Sequence, residues 1–319
     1  MGYLIDNLQY ANWSPKIFDQ MHAGGVDAVH VTVAYHEDFR DLVRNLTAWN
    51  RRFADHADRI VRATSAADVR AAHASGRTAI LFGAQSPGPI ADDIGLIEVL
   101  HQLGLRFMQL TYNTQSLLGA GCFEDVDSGL TRYGRQAVAE MNRVGLVVDL
   151  SHAGERTARD AIAASRRPVA VTHANPADWH PAPRNLSRAL LDDLFASGGM
   201  LGLSLYPHHL KDGSACTLDS FCGMVAELVE RYGHSRIGIG SDLCQDQPDS
   251  VVDWMRNGTW NREAAAPARF PPMPVWFADN RDFGNIRRGL QAAGLPLAAV
   301  DGIMGDNWLH FYDESFGPA

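Results

Sequence analysis

Short runs of consecutive apolar residues, several of them rich in β-branched side chains, recur along the chain and end in polar residues. Strands buried in a parallel sheet have this pattern, because helices cover both faces of such a sheet. The runs predict strands at 3–6, 28–34, 78–83, 107–112, 146–150, 169–172, 200–205 and 237–240.

The stretches between these strands carry apolar residues three and four positions apart, which predicts amphipathic helices. The predicted helices cover 39–53, 66–73, 94–103, 131–143, 155–164, 187–196 and 218–232. Repeated alternation of strand and helix predicts an α/β fold, a (β/α)8 TIM-type barrel in which residues 1–319 form a single domain. An open doubly wound sheet is the second interpretation, but no Gly-x-Gly-x-x-Gly segment follows the first predicted strand.

The alternation weakens after the eighth predicted strand. Residues 246–280 contain five prolines and three tryptophans, which predicts an irregular excursion. This excursion either covers a pocket, contacts another subunit or is an ordered surface loop. Beyond it the pattern predicts helices at 281–293 and 297–304, and a last short helix that starts at 305–308.

Composition narrows the class of protein. With 319 residues, 46% hydrophobic and 20% charged, the chain can bury a large core. A net charge of −9 gives no basic surface for nucleic acid or an anionic membrane, so we expect a small-molecule substrate. No apolar run approaches the roughly 18 residues of a membrane span, and we expect a cytoplasmic homo-oligomer. The four cysteines have no CxxC spacing and are expected to be free thiols.

Polar residues with metal-binding or proton-transfer chemistry follow three of the predicted strands. His152 and His173 come at the ends of the fifth and sixth strands, and Asp242 follows the eighth. Neighbouring strands lie about 4.8 Å apart, so both imidazoles can reach one point and bind one metal ion. Asp242 can ligate that metal, take a proton from bound water or hold a substrate ammonium group; a turn-capping aspartate is the alternative.

Arg184 lies in a Pro-Arg-Asn segment just beyond the sixth predicted strand. A guanidinium group can hold a carboxylate through two parallel hydrogen bonds. A surface arginine beside a helix start is the other interpretation, and local sequence alone favours it.

The chain resembles a known protein family in several segments, which occur in the same order in that family. They are Gly134-Arg135, Glu140-Met141-Asn142-Arg143-Val144-Gly145-Leu146, Val148-Asp149-Leu150-Ser151-His152, Val171-Thr172-His173-Ala174-Asn175, Pro183-Arg184-Asn185, Ile237-Gly238-Ile239-Gly240-Ser241-Asp242 and Met304-Gly305-Asp306-Asn307-Trp308. Over nearly its whole length the chain resembles the renal (membrane) dipeptidase family, peptidase family M19. The resemblance implies an amidohydrolase-like, metal-dependent barrel, usually with two zinc ions, that hydrolyses dipeptides and related small amides. It further implies that His152 and His173 bind metal, that Arg184 binds the substrate carboxylate and that Asp242 handles the amine or the proton.

The chain departs from the family pattern at three strand ends. The family usually carries Asp-Gly-His-x-Asp after its first strand, whose histidine and second aspartate hold one metal, but residues 6–10 read Asp-Asn-Leu-Gln-Tyr. Gln85 stands where a bridging glutamate is usual, and a neutral amide bridges two cations poorly. Tyr112 stands where a histidine commonly polarises the scissile carbonyl, and its hydroxyl can still donate a hydrogen bond. We expect Gln85 and Asn113 to contact the substrate.

These departures predict one metal ion instead of two. We expect zinc, or another divalent metal, held by His152 and His173 with Asp242 or water completing the shell. Further possible ligands, none with a compelling spacing, are His22, His30, His36, Cys122 and Cys244. The preferred function is a dipeptidase-like metallohydrolase acting on a dipeptide or related small amide. The alternatives are a divergent enzyme of methylated glycine (dimethylglycine or betaine type) catabolism and a catalytically silent barrel subunit.

Overall fold

A computed structural model describes residues 2–258 and 269–317. Its strands are β1 (Ile5–Ala11), β2 (Ala28–Ala34), β3 (Ile60–Arg62), β4 (Thr78–Ala84), β5 (Leu105–Gln109), β6 (Val147–Asp149), β7 (Ala170–Ala174), β8 (Met200–Leu203), β9 (Ile237–Ile239) and β10 (Leu243–Gln245). Its helices are α1 (Pro15–Ala23), α2 (Phe39–Asp55), α3 (Ala66–Ala74), α4 (Leu96–Gln102), α5 (Arg132–Val144), α6 (Glu155–Ala164), α7 (Arg188–Ala196), α8 (Leu218–Tyr232), α9 (Asp249–Asn257), α10 (Phe283–Ala292), α11 (Leu297–Asp301) and α12 (Asn307–Ser315). Among these described residues, no helix combines the length and the apolar character that crossing a membrane requires.

Eight parallel strands close into a barrel. The order is β1, β2, β4, β5, β6, β7, β8 and β9, and β9 returns to β1 through the pair Asp6 and Ile239. The short strand β3 adds to the first half of β4, and β10 adds to the last half of β1. This confirms the predicted TIM-type barrel.

The helices begin and end at residues suited to those positions. The hydroxyl of Thr131 accepts a hydrogen bond from the backbone N–H of Gly134 and so caps the first turn of α5. Gly145 ends that helix in the left-handed region at φ 82°, where a side chain would overlap the backbone of Gly317. In the same way, the side chain of Asp38 caps α2 and that of Ser187 caps α7. Local sequence therefore sets where these helices start.

One end of the barrel is closed by the last helix. Aromatic side chains of α12, among them Trp308 and Tyr312, are fully buried against residues at the start of the barrel strands. The Trp308 Nε1–H donates to the Ile239 carbonyl at 2.9 Å, and the Tyr312 hydroxyl donates to Asn7 Oδ1 at 2.6 Å. Because this end is filled with side chains, the opposite end, where the strands finish, is the one available for a ligand.

The structure differs from the predicted elements at short or late segments. β1 runs to Ala11, so residues 7–10, predicted to follow the first strand, lie inside it. β3 and β10 were not predicted because three residues are too few for a periodic signal. Within the predicted irregular segment 246–280, α9 is a regular helix with buried Val252 and Met255, and residues 259–268 lie outside the described residues.

Candidate active site

A cavity of about 440 Å³ opens where the barrel strands end. Its wall includes all of the predicted site residues except one: Gln85, Tyr112, Asn113, His152, Arg184 and Asp242. The exception, His173, is fully buried directly behind His152. Residues from β4, β5, β6, β7 and β9, or from the turns that follow them, therefore meet at one place, as strand-end residues of a barrel do.

The two predicted metal ligands face each other through their Nε2 atoms, which are 3.0 Å apart. His152 Nδ1 lies 2.7 Å from the side-chain oxygen of Asn113. An amide oxygen only accepts hydrogen bonds, so this contact places the proton on Nδ1 and leaves a lone pair on His152 Nε2.

A second set of hydrogen bonds places the proton of His173 on Nδ1 and leaves a lone pair on its Nε2. The Thr172 hydroxyl donates to Asp149 Oδ2 at 2.6 Å, so its oxygen accepts from His173 Nδ1 at 2.9 Å. Burial, followed by the charge of Arg184, lowers the pKa of both His152 and His173 well below the ordinary value and keeps the rings neutral. Two lone pairs then point at one another, an arrangement that a cation beside them stabilises.

The histidine pair fits a metal only in part. Two neutral imidazoles held by outer hydrogen bonds are suitable ligands for zinc and similar ions. However, the described part of the chain has no group of three or more His, Cys, Asp or Glu side chains arranged to hold a metal, so Asp242 does not join the pair in such a group. Gln85 is turned to the Thr32 hydroxyl, to which its Nε2 donates at 2.8 Å. The described residues suit one ion held by two histidines, with other ligands from solvent or substrate.

Asp242 follows β9 in a left-handed conformation, and its backbone N–H donates to the Leu8 carbonyl at 3.0 Å. Its carboxyl group is buried, and this burial raises the pKa of Asp242 to about 7 against the opposing charges of Arg184 and Arg256. A carboxyl with a pKa near neutrality can exchange protons under ordinary conditions. The alternative of an ordinary turn-capping aspartate does not explain its burial in the cavity wall.

Three site residues have a backbone conformation that L-amino acids rarely adopt. Asn113, His152 and Asp242 have φ angles of 63°, 66° and 57°. Such angles cost free energy and are held only when the surrounding structure imposes them, often at functional sites. All three residues follow barrel strands and line the cavity.

Arg184 is buried, with 7% of its surface exposed, which rules out the interpretation as a surface arginine. Its Nη2 donates to the His173 carbonyl at 3.2 Å. Its Nε–H has no hydrogen-bond acceptor within the residues that the structure describes. A buried cation with an unused donor in a cavity wall is suited to a carboxylate ligand.

Tyr112 stacks on His152, with ring centroids 4.4 Å apart, and meets Tyr35 and His36 edge-on. Burial, followed by the charge of Asp242, raises the pKa of Tyr112 far above its ordinary value. The hydroxyl therefore keeps its proton and remains a hydrogen-bond donor.

The sequence did not point to several further residues that line the cavity, four of which carry polar groups of interest. They are Tyr10, Tyr206, His209 and Arg256. His209 comes shortly after β8, and its Nδ1 lies 2.8 Å from the hydroxyl of Ser204, the residue that directly follows this strand. The rule that polar residues follow barrel strands would therefore have pointed to His209. Arg256 comes from α9, which no local signal connects to the barrel.

Among the described residues, the remaining candidate ligands do not join the histidine pair in a group of three or more metal-binding side chains. His30 Nδ1 lies 2.9 Å from the Asn7 carbonyl inside the barrel, and His36 Nε2 lies 3.0 Å from the Met255 carbonyl. Burial raises the thiol pKa of both Cys122 and Cys244, so neither is a ready thiolate. His22 is exposed on α1.

A closed parallel barrel with a histidine pair at its strand ends defines an amidohydrolase-like barrel. Residues 12–256 match the model of the membrane dipeptidase family, peptidase family M19. The chain is 31% identical to Dipeptidase tcpJ of Claviceps purpurea over 220 residues, which are 68% of this chain and 51% of that protein. It is likewise 31% identical to Dipeptidase verJ of Clonostachys rogersoniana over 218 residues, 67% of this chain and 55% of that protein. The chain therefore belongs to the membrane dipeptidase family, and it spans about half the length of these curated relatives.

Solved structures agree with this assignment. An amidohydrolase from Pseudomonas aeruginosa superposes with a TM-score of 0.94 at 34% identity, covering 99% of this chain and 97% of that chain. A dipeptidase described as a metallopeptidase of family M19 gives a TM-score of 0.82 at 21% identity, covering 99% of both chains. The second likeness, at its lower identity, supports the fold alone.

Proposed function

We propose that this protein is a dipeptidase-like hydrolase that cleaves the amide bond of a dipeptide or a related small amide. The observation that carries the proposal is the neutral pair His152 and His173, with both Nε2 lone pairs converging beside Arg184 and Asp242. The relatives' dipeptidase and amidohydrolase descriptions favour this function over methylated-glycine catabolism or a silent barrel subunit.

Each polar group in the wall has a distinct task in this proposal. Arg184 binds the free carboxylate of the substrate through its unused Nε–H and the neighbouring guanidinium donors. Tyr112 donates its hydroxyl proton in a hydrogen bond to the carbonyl oxygen, on which negative charge develops during attack. Ionised Asp242 pairs with the substrate ammonium group, takes a proton from the attacking water and passes it to the leaving nitrogen. Gln85 contacts the substrate, while Asn113 also positions His152.

The family implies a divalent metal, and His152 and His173 are the residues that would hold it here. We propose a single ion, with zinc the first candidate because neutral imidazole is one of its preferred ligands. When bound, a zinc ion supplies an activated water and polarises a carbonyl. The relays through Asn113 and through Thr172 to Asp149 keep both Nε2 atoms unprotonated for this purpose.

Hydrolysis of a dipeptide panel, with zinc or manganese supplied, tests the function. We expect turnover by the wild type and a loss of kcat/KM of about a hundredfold or more in His152→Ala, since even outer-shell changes at metal sites cost 10–100-fold. His22→Ala, which removes an exposed histidine on α1, is the matched control and should behave as wild type. Failure of the wild type to hydrolyse any dipeptide with either metal would contradict the proposal.

A cytoplasmic location and a homo-oligomeric assembly also belong to this proposal. The four cysteines are free thiols, which supports a reducing compartment. Leu117, Phe123 and Val126 are exposed apolar side chains of the loop after β5, and a contact with another copy would cover them. Light scattering during size-exclusion chromatography measures the assembly directly.

A further inference from the structure

The cavity wall has more positive than negative charge. Among its described residues it contains two guanidinium groups, those of Arg184 and Arg256, and one carboxyl group, that of Asp242. Burial lowers the pKa of His152, His208 and His209, so the lining histidines add no charge near neutral pH. Even with Asp242 fully ionised, one positive charge in the wall is left without a counter-charge.

Neither arginine has its charge matched by a carboxylate in the part of the chain that the structure describes. Within residues 2–258 and 269–317, no carboxylate forms an ion pair with Arg184 or Arg256. Arg256 reaches the cavity from α9 and donates from Nη2 to the Tyr206 hydroxyl, with its guanidinium 5.2 Å from the centre of that ring. Among the described residues that hydroxyl is the one hydrogen-bond acceptor of Arg256, and a guanidinium has five N–H donors, so further donors can serve a ligand.

An ordinary dipeptide does not use this arrangement fully. The carboxylate of the dipeptide binds one arginine, and its ammonium group pairs with Asp242. The second guanidinium then has no anionic partner in the ligand, and a ligand that covers it removes water from an unpaired cation, which costs free energy. A ligand with one more anionic group removes that cost.

We propose that the natural substrates are small amides or dipeptides that carry a second carboxylate, held by Arg256 while Arg184 holds the first. This inference rests on the proposed hydrolase function, which it deepens by naming the substrate class. Arg256 is then a specificity residue supplied by the segment after the barrel and not by a barrel strand.

Equilibrium binding tests the acidic subsite without hydrolysis. Calorimetry on the zinc-supplemented protein compares glutarate with pentanoate and adipate with hexanoate, pairs of equal carbon number that differ in one carboxylate. We expect the dicarboxylate of at least one pair to bind about tenfold tighter or more, as a charge-assisted hydrogen bond allows. Arg256→Gln should bring that ratio to within about twofold. Arg256→Lys, which keeps a point charge but loses the planar fork, should give an intermediate ratio.

Arg51→Gln is the matched control, because Arg51 is an exposed arginine on α2 away from the cavity. It should keep the wild-type ratio. Equal affinity for both members of each pair in the wild type, or an unchanged ratio in Arg256→Gln, would overturn the inference.

Hydrolysis then shows which residue of a dipeptide carries the second carboxylate. The two arms compare kcat/KM for Glu-Ala against Gln-Ala and for Ala-Glu against Ala-Gln. A preference of about tenfold for the acidic member of one pair, reduced by Arg256→Gln, supports the proposal and locates the group. Equal rates within both pairs would overturn it. Absence of hydrolysis of all four dipeptides would instead contradict the proposed function, while the binding ratios decide the acidic subsite separately.

Discussion

At the scale of single residues, Asp242 carries the clearest physical signature of function. Its native pKa of about 7 lies above the value of 3.8 for an ordinary aspartate because its carboxyl is buried. The native state thus holds this proton more tightly than the unfolded chain does. The resulting stabilisation is complete below pH 3.8 and is lost as the pH rises to about 7. The protein gives up stability so that a buried carboxyl ionises near neutral pH.

We therefore expect kcat/KM to rise with pH and to level off above an apparent pKa of about 7, because only ionised Asp242 holds an ammonium group or accepts a proton. Asp242→Asn should lower kcat/KM by about a hundredfold or more and leave the circular dichroism spectrum unchanged, since asparagine tolerates the left-handed backbone. The matched control is Asp246→Asn, at an exposed aspartate with φ 56° that pairs with Lys16. A flat wild-type profile, or an active Asp242→Asn enzyme, would remove Asp242 from the mechanism.

At the scale of elements, the site depends on how closely neighbouring strands approach. A side chain at Gly202 or Gly240 would overlap the carbonyl oxygen of Thr172, the residue before His173. Glycine at these two positions therefore lets β8 and the end of β9 pack against β7 without displacing the histidine.

Gly240→Ala should lower the free energy of unfolding by about 3 kcal/mol, the upper range for added volume in a packed core, because the obstacle is backbone that cannot rotate away. Gly223→Ala is the control: that glycine lies inside α8 with open space around it, and alanine there should stabilise by up to about 1 kcal/mol. Urea unfolding measures both. Equal stabilities for the two variants would show that β7 adapts to the extra methyl group.

The sequence predicts some elements of the molecule better than others. The barrel strands were predictable because they are buried on both faces and leave continuous apolar runs. His152, His173 and Asp242 were predictable because each directly follows such a run. Arg256 was not, since α9 lies in a proline-rich segment and its place over the cavity depends on tertiary packing of Trp254 and Met255.

At the scale of the whole molecule, we expect the barrel to fold without a metal, because the hydrophobic core holds it together. Its closed end is filled by α12, and a continuous core packs between the strands and the outer helices. The strand-end chemistry can therefore change while the scaffold stays. In this chain the first-strand positions carry buried Leu8 and partly buried Tyr10, and Gln85 replaces the bridging carboxylate that the family resemblance implies.

This division between scaffold and site predicts a metal content of at most one ion per chain. Protein equilibrated with zinc and then passed through a desalting column should retain about one equivalent by elemental analysis, because His152 and His173 bring two imidazole nitrogens within 3.0 Å of each other and the described residues contain no larger ligand group. Zinc at a hundred times its Kd should stabilise the wild type by about 2.7 kcal/mol and leave the melting temperature of His173→Ala unchanged. His173→Ala should remain folded without metal, since the core lies elsewhere. Two retained ions, or one that persists in His173→Ala, would mean that the metal binds outside the histidine pair and that the wall of Tyr10, Gln85 and Asp242 contributes ligands after all.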